Sequence, residues 1–141
     1  TPDELRERHV AMSDWPRARV ASRVIRFADR LAETPGESRT RVLFHVHGLP
    51  RPRLQVDLIA NGRRYRVDML VDEPATVVEF DGRLKYRMGE SQNPRELEAV
   101  LWAEKRREDD LRAEGYRFAR IIWGDLDRPL DTAARLRGIL R

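Results

Sequence analysis

The sequence predicts an α/β fold with a mixed four-stranded sheet flanked by helices. One observation is the pair of strand-like segments on either side of Asn61-Gly62, the dipeptide most typical of a two-residue hairpin turn. A second is the strand-like segment 76–80, which a long helical pattern separates from a fourth segment, 116–123. Such a helix permits a parallel crossover, whereas the hairpin is antiparallel, so both strand directions are expected in one sheet.

The composition is that of a highly charged protein with enough apolar residues for a core. Of 141 residues, 40% are hydrophobic and 37% are charged, and no apolar run is long enough for a transmembrane helix. The absence of cysteine excludes disulfides and thiol chemistry and favours a cytoplasmic location. The net charge is +4, and lysine occurs only at Lys85 and Lys105. An arginine-rich chain suits phosphate binding, although a GC-rich genome explains the same bias.

The chain is predicted to divide after residue 33. Residues 1–33 contain a charged linker and a helix that begins at Asp14, whereas residues 34–141 carry every strand-like segment and form the folded domain. Because the chain begins at Thr1 without a methionine, we expect it to be the C-terminal part of a longer protein. A DNA-binding domain is the expected content of the preceding part.

The folded domain opens with a strong helix-start signal. Thr34 is suited to be the N-cap, Pro35 to the first helical position and Glu37 to the acidic position of a capping box. Gly48 is expected to end this helix. Glu37 therefore has two interpretations, as a capping residue alone or as a carboxylate that also belongs to a site.

The hairpin turn fixes the register of the first two strands. Counting back from residues 60 and 63, Asp57 faces Arg66, and Gln55 faces Asp68. We therefore expect Gln55 to support the site from beside its first carboxylate, and Asp57 to be a cross-strand partner of Arg66.

A second capped helix is predicted from Pro94 to Glu114, with Gly115 as its stop. Its inner stripe is expected to consist of Leu97, Val100, Leu101 and Leu111. Glu104 and Arg107 fall on the same stripe, so they either pair with each other or point into a site. A final helix is expected over residues 127–140.

Three carboxylates are expected close together, two of them at the end of the third strand and one on the neighbouring strand. Asp68 interrupts the second strand, and Glu79 and Asp81 follow each other at alternate positions of the third, about 6–7 Å apart at Cβ. Gly82 then lets the backbone turn away. Oxygen ligands held on neighbouring strands suit a hard divalent cation, so the sequence predicts a metal site here.

The order of these motifs resembles the restriction-endonuclease-like, or PD-(D/E)xK, superfamily: a helix with a glutamate, a hairpin that ends in aspartate and a strand with Glu-x-Asp. More narrowly, EFDGRLK at 79–85 resembles the E-x-D-G-x-x-H stretch of the very-short-patch-repair-like endonucleases. Four further segments are similar to the C-terminal domain of actinobacterial AbiEi-type antitoxins and transcriptional regulators. They are PGES at 35–38, LPRPRLQV at 49–56, RVDML at 66–70 and AEKRREDDLRAEGYRFAR at 103–120.

The resemblance implies a restriction-endonuclease-like fold that hydrolyses DNA with Mg²⁺, or with Mn²⁺ in its place. It implies the catalytic residues Glu37, Asp68, Glu79, Asp81 and Lys85. Asp68, Glu79 and Asp81 would be the metal ligands. The chain departs from the superfamily at Asp81, where the motif usually has lysine, and Lys85 or Lys105 would have to replace that lysine.

Three basic residues are candidate contacts to DNA phosphates, namely Arg41 one turn after Glu37, and Lys105 and Arg107 on the later helix. Structural pairing with arginine is the alternative explanation for every carboxylate of the site. Two functions therefore remain open, a Mg²⁺-dependent DNA endonuclease and a non-catalytic nuclease-fold module of an antitoxin or regulator that binds nucleic acid or a protein.

Overall fold

The computed structural model describes residues 2–82 and 94–141 of the chain, with side chains described for 3–82 and 98–141. Two compact units are present, Thr1–Leu31 and Ala32–Arg141. The second unit is an α/β domain with a four-stranded mixed sheet flanked by helices, as the sequence predicts. No helix of the described residues is long and apolar enough to cross a membrane.

The first unit contains two helices, α1 (Pro2–Ala11) and α2 (Ala18–Phe27). The second helix begins four residues later than the sequence suggests, because Arg17 takes a left-handed φ of 69° directly before it. None of the residues of α2 is buried, and Val24 is 63% exposed.

The second unit consists of α3 (Pro35–Val46), β1 (Arg53–Ala60), β2 (Arg63–Val71), β3 (Thr76–Phe80), α4 (Pro94–Ala113), β4 (Arg117–Ile121), α5 (Trp123–Leu126) and α6 (Pro129–Ile139). The sheet order is β1-β2-β3-β4. The first two pairings are antiparallel, and β3 pairs with β4 in parallel through the crossover that contains α4. Trp123, expected at the end of the fourth strand, instead begins α5.

The turns that local sequence signals predict are present in the structure. Asn61 and Gly62 take φ values of 48° and 69°, as a primed two-residue turn requires, and the register Asp57↔Arg66 follows from it. Gly48 takes a φ of 64° just after α3 ends. The neighbouring amide of Leu49 bonds back to the carbonyl of Phe44 at 2.9 Å, so the helix end is closed.

Two hydrophobic clusters hold the domain together. One contains residues of α3, α6 and the sheet, including Phe44, Met69 and Leu136. The other joins the hairpin to α4 through Leu111. The predicted inner stripe of α4 is wrong for Val100 and Leu101, which are 52% and 47% exposed. Leu111, nearer the C-terminal end of α4, is fully buried, whereas the side chain of Leu97, also predicted for this stripe, lies outside the described residues.

A candidate functional site at the separation of two strands

A cavity of about 610 Å³ lies where β2 and β3 separate. The first turn of α3 and the middle of α4 also line it. Acidic residues predominate among the charged side chains of its lining, which are Glu33, Glu37, Asp68, Glu79, Asp81 and Glu104, with Arg66, Arg107 and Arg120. The four carboxylates that the sequence predicts as a site, at 37, 68, 79 and 81, therefore line one cavity.

Asp68 lies at the point where the ladder between β2 and β3 ends. The last pair is Met69↔Val78, and beyond it the backbone amide of Phe80 donates to Oδ2 of Asp68 at 3.1 Å. The carboxylate thus replaces the strand partner that this amide has lost. Burial raises the pKa of Asp68 above its ordinary value, and the neighbouring charge of Glu37 adds to this rise.

Glu79 is held by a guanidinium rather than by solvent. Nη2 of Arg107 lies 2.7 Å from each oxygen of Glu79, and the same group lies 2.7 Å from Oε1 of Glu104. Burial raises the pKa of Glu79 despite this partner. Burial lowers the pKa of Arg107, but the hydrogen bonds to Glu104 and Glu79 outweigh it and raise that pKa overall. The cavity therefore carries its own cation.

Glu37 combines the two interpretations that the sequence leaves open. Its amide donates to Oγ1 of Thr34 at 3.2 Å, and the Thr34 hydroxyl donates to Oε1 of Glu37 at 2.7 Å. Oε2 accepts from the amide of Glu33 at 3.0 Å and from Nε2 of Gln55 at 3.1 Å. Glu37 is 4% exposed and lines the cavity, so it is a capping residue with a carboxylate inside the site.

Gln55 supports this site through a contact that register counting misses. Its neighbours in β1 pair with Met69 and Val67, so Gln55 lies opposite Asp68 along the strand as expected. Gln55 itself has a φ of 50° and no pair in the ladder. Its side chain reaches Glu37 instead of Asp68. The predicted position of Gln55 opposite Asp68 is therefore confirmed, and its hydrogen bond to Glu37 is a contact that the register alone does not give.

The wall of the cavity depends on a close approach between α3 and β3. A Cβ at Gly36 would lie 1.9 Å from the ring of Phe80, so only glycine fits there. The Phe80 ring packs edge-on against Trp123 at 4.9 Å between centroids. Trp123 lines the cavity and is 40% exposed. Trp123 therefore packs against Phe80 and leaves part of its surface open to the cavity.

Of the two remaining predicted catalytic residues, Asp81 and Lys85, only Asp81 is among the described residues. Asp81 lines the cavity, and its amide donates to the carbonyl of Ile121 at 2.8 Å, which fixes the backbone one residue beyond β3. Lys85, predicted as the replacement for the motif lysine, lies outside the described residues.

Sequence reasoning missed three charged residues of the cavity. Arg66 pairs with Glu33 at 2.6 Å, and Arg120 approaches Glu104 at 3.4 Å and Glu108 at 3.2 Å. The residues Glu33, Arg66 and Arg120 all line the cavity. The strand register predicts Asp57 as the cross-strand partner of Arg66, but the side chain of Asp57 binds Arg64. Only the fold reveals that the strand partner and the side-chain partner of Arg66 differ.

Two of the predicted phosphate contacts lie away from this cavity. Arg41 is 7% exposed, and Lys105 lies with Nζ over the ring of Trp102, 5.4 Å from its centroid. Neither residue lines the cavity, whereas Arg107 does. A phosphate contact by Arg41 stays a prediction, and its burial weighs against it.

The donor set of the cavity consists of hard carboxylate oxygens, which suit Mg²⁺ chemically. In the described part of the chain, however, no three His, Asp or Glu side chains are arranged to hold a metal ion. Glu79 is bound to Arg107, and one oxygen of Asp68 is bound to an amide. The ligands are therefore gathered in one cavity but are not assembled around one point.

No protein-family model, no curated protein and no solved structure matches this chain.

Proposed function

We propose that the domain is a metal-dependent endonuclease that hydrolyses DNA phosphodiester bonds. The observation that supports this most is the convergence of Glu37, Asp68, Glu79 and Asp81 on one cavity at the separation of β2 and β3. These are the carboxylates that the resemblance to restriction-endonuclease-like proteins implies. They come from three parts of the chain, namely α3, β2 and the end of β3, so the meeting of these three parts is not a consequence of local composition.

The electrostatics of the cavity support a cation ligand. The pKa values of Asp68 and Glu79 are both raised, because burial and neighbouring carboxylates disfavour their charged forms. A divalent cation would relieve this repulsion more effectively than one guanidinium, because it carries twice the charge and accepts several oxygens. Perturbed carboxylates in a cavity are typical of functional sites.

In this proposal Asp68, Glu79 and Asp81 hold Mg²⁺ or Mn²⁺, and Glu37 fixes the edge of the site through Gln55. The metal would supply an activated water and neutralise charge on the scissile phosphate. Arg66, which is half exposed on the rim, would contact a flanking phosphate. A metal ion at Glu79 would compete with the positive charge of Arg107, which is paired with that carboxylate.

The second candidate is a non-catalytic module of the same fold that binds nucleic acid or a protein partner. The Glu79–Arg107 ion pair favours it, because a site that neutralises its own carboxylate has less need of a metal. Aspartate at position 81, where the resembling superfamily usually has lysine, favours the same candidate.

The decisive experiment is cleavage of supercoiled and single-stranded DNA with Mg²⁺ or Mn²⁺. It compares the parent chain with Asp68→Asn, Glu79→Gln and the control Asp72→Asn. Asp72 is 61% exposed and pairs with Arg53, away from the cavity lining, so its variant controls for loss of a carboxylate on the same hairpin. Asparagine at 68 keeps an oxygen that accepts from the Phe80 amide, which protects the fold.

We expect metal-dependent cutting in the parent and in Asp72→Asn, with a loss of roughly 100-fold or more in the two cavity variants. Absence of cutting with every metal, together with DNA retention in a chelator, would replace this proposal by the non-catalytic module. Equal cutting by all four proteins would show that the activity arises elsewhere.

A further inference from the structure

We propose that Arg107 is a positioning residue that occupies Glu79 until a phosphate of the nucleic acid draws its guanidinium away, so that DNA binding precedes tight metal binding. This inference rests on the proposed function and adds an order of binding to it. Arg107 would bind Glu79 in the free protein and a DNA phosphate in the complex.

In the free protein, Arg107 and Glu79 each hinder the other from binding a further charged partner. A single nitrogen, Nη2, lies 2.7 Å from both oxygens of Glu79, so a metal ion at Glu79 would share both oxygens with the guanidinium and be repelled by its positive charge. The side chains of Arg107 and Glu79 are only 18% and 12% exposed. An ion pair with so little access to water is screened weakly and competes directly with a metal.

Part of the Arg107 guanidinium is available to a phosphate, which could draw it away from Glu79. The described hydrogen bonds of Arg107 use Nη2 and Nε, and the Nε bond goes to Glu104 at 3.2 Å. Among the described residues, Nη1 of Arg107 has no hydrogen-bond partner. Because guanidinium carries five donors in a planar fork, a phosphate approaching through the cavity can bind that free edge.

Exchange of partners keeps every buried charge compensated. Removing Arg107 from Glu79 alone would leave a buried carboxylate without a cation, which is strongly unfavourable. If a phosphate takes Arg107 while a divalent cation takes Glu79, both charges are paired again. Glu104, which holds the guanidinium from the same helix by an i, i+3 contact, keeps Arg107 near the cavity during this exchange.

The test measures Mn²⁺ binding by calorimetry rather than cleavage. It uses the whole chain as the parent protein, Arg107→Gln, Arg107→Lys and the control Arg112→Gln, each with and without a short duplex whose phosphorothioate linkages resist hydrolysis. Arg112 lies on the same helix and pairs with Glu108 at 2.7 Å. It lines a smaller cavity together with Glu79, but its hydrogen bonds go to Glu108, so its variant removes a comparable charge without releasing Glu79.

Without DNA, we expect Arg107→Gln to bind Mn²⁺ about tenfold more tightly than the parent and Arg112→Gln. Arg107→Lys, which keeps the charge but loses the fork, is expected between them. With the duplex, the parent should approach the affinity of Arg107→Gln. General damage to the fold would lower metal affinity, whereas this inference requires an increase.

Equal or weaker Mn²⁺ binding by Arg107→Gln, or no binding by any of the four proteins, would overturn the inference. If Arg107→Gln does not fold, the intermediate affinity of Arg107→Lys carries the test. Failure of the nuclease proposal is seen separately, because DNA cleavage is measured in its own assay. If DNA strengthens Mn²⁺ binding as expected but no cleavage is seen, the inference about Arg107 holds and only the nuclease proposal fails.

Discussion

The carboxylate of Asp68 accepts a hydrogen bond from the backbone amide of Phe80, two residues beyond Val78, the last residue of β3 that pairs with β2. One side chain therefore does two things, since it completes the edge of a strand and presents its remaining oxygen to the cavity. A residue that closes the ladder in this way is held firmly on the backbone. That placement is what a metal ligand or a catalytic base needs.

Neutralising Asp68 is predicted to stabilise the domain. Because the pKa of Asp68 is higher in the folded chain than its ordinary value of 3.8, the folded state favours the protonated form and ionisation costs stability. The cost is present above the folded pKa and disappears as the pH falls below the unfolded value. Asp68→Asn should raise the melting temperature by a few degrees near neutral pH, measured by circular dichroism.

The pH dependence provides the check on this prediction. The advantage of Asp68→Asn over the parent should shrink as the pH is lowered towards 3.8, because the parent carboxyl then becomes neutral as well. Asp72→Asn, which removes an exposed carboxylate, should show no such gain. A variant that melts below the parent at every pH would contradict the account.

Replacing Gly36 with alanine is predicted to destabilise the domain by about 1–3 kcal/mol, because the new methyl group would overlap the ring of Phe80. The ring cannot turn away without disturbing its edge-on contact with Trp123. Urea unfolding measures the loss, and Trp fluorescence reports the displacement. Gly138→Ala is the matched control in a helix, since nothing lies within 4 Å of its Cβ position.

Glu37→Gln is predicted to cost about 1–3 kcal/mol, because glutamine offers one acceptor oxygen where two are in use. Oε1 receives the Thr34 hydroxyl, and Oε2 receives the Glu33 amide and Gln55. The amide group of glutamine would face one of these donors. Urea unfolding compares it with Glu33→Gln, which breaks only an exposed ion pair and should change stability little. Equal losses in both would argue against the buried network.

Arg66→Gln is predicted to weaken DNA binding uniformly across sequences and to reduce the salt slope of log K by roughly one. Arg66 is 54% exposed on the cavity rim. Fluorescence anisotropy at several salt concentrations measures both quantities. Lys105→Gln is the comparison, because Lys105 lies on Trp102 outside the cavity and should have a smaller effect. A larger loss of DNA affinity in Lys105→Gln than in Arg66→Gln would indicate that DNA binds along α4 outside the cavity.

The sequence is sufficient where a contact is local and insufficient where it crosses the fold. The turn at Asn61-Gly62 and the cap at Thr34 depend on a few neighbouring residues, so both were predictable, and so was the register between Asp57 and Arg66. The attachment of Gln55 to Glu37 required a left-handed backbone that no local signal announces.

The site shows the same division. The alternation of strand residues placed Glu79 and Asp81 together, and the spacing of α4 aligned Glu104 with Arg107. Nothing in the sequence specified that Arg107 also reaches Glu79, 28 residues away, because that contact depends on how α4 crosses the sheet. The same crossing decides that Val100 and Leu101 face outward.

The two hydrophobic clusters contain none of the carboxylates that line the cavity. We therefore expect the ion-free protein to stay folded, in contrast to small domains that unfold when a chelator removes their ion. Its melting temperature in a chelator is the reference value for added ligands. Each added ion or nucleotide then appears as a rise in melting temperature from one fixed baseline, which makes thermal denaturation a direct titration of affinity.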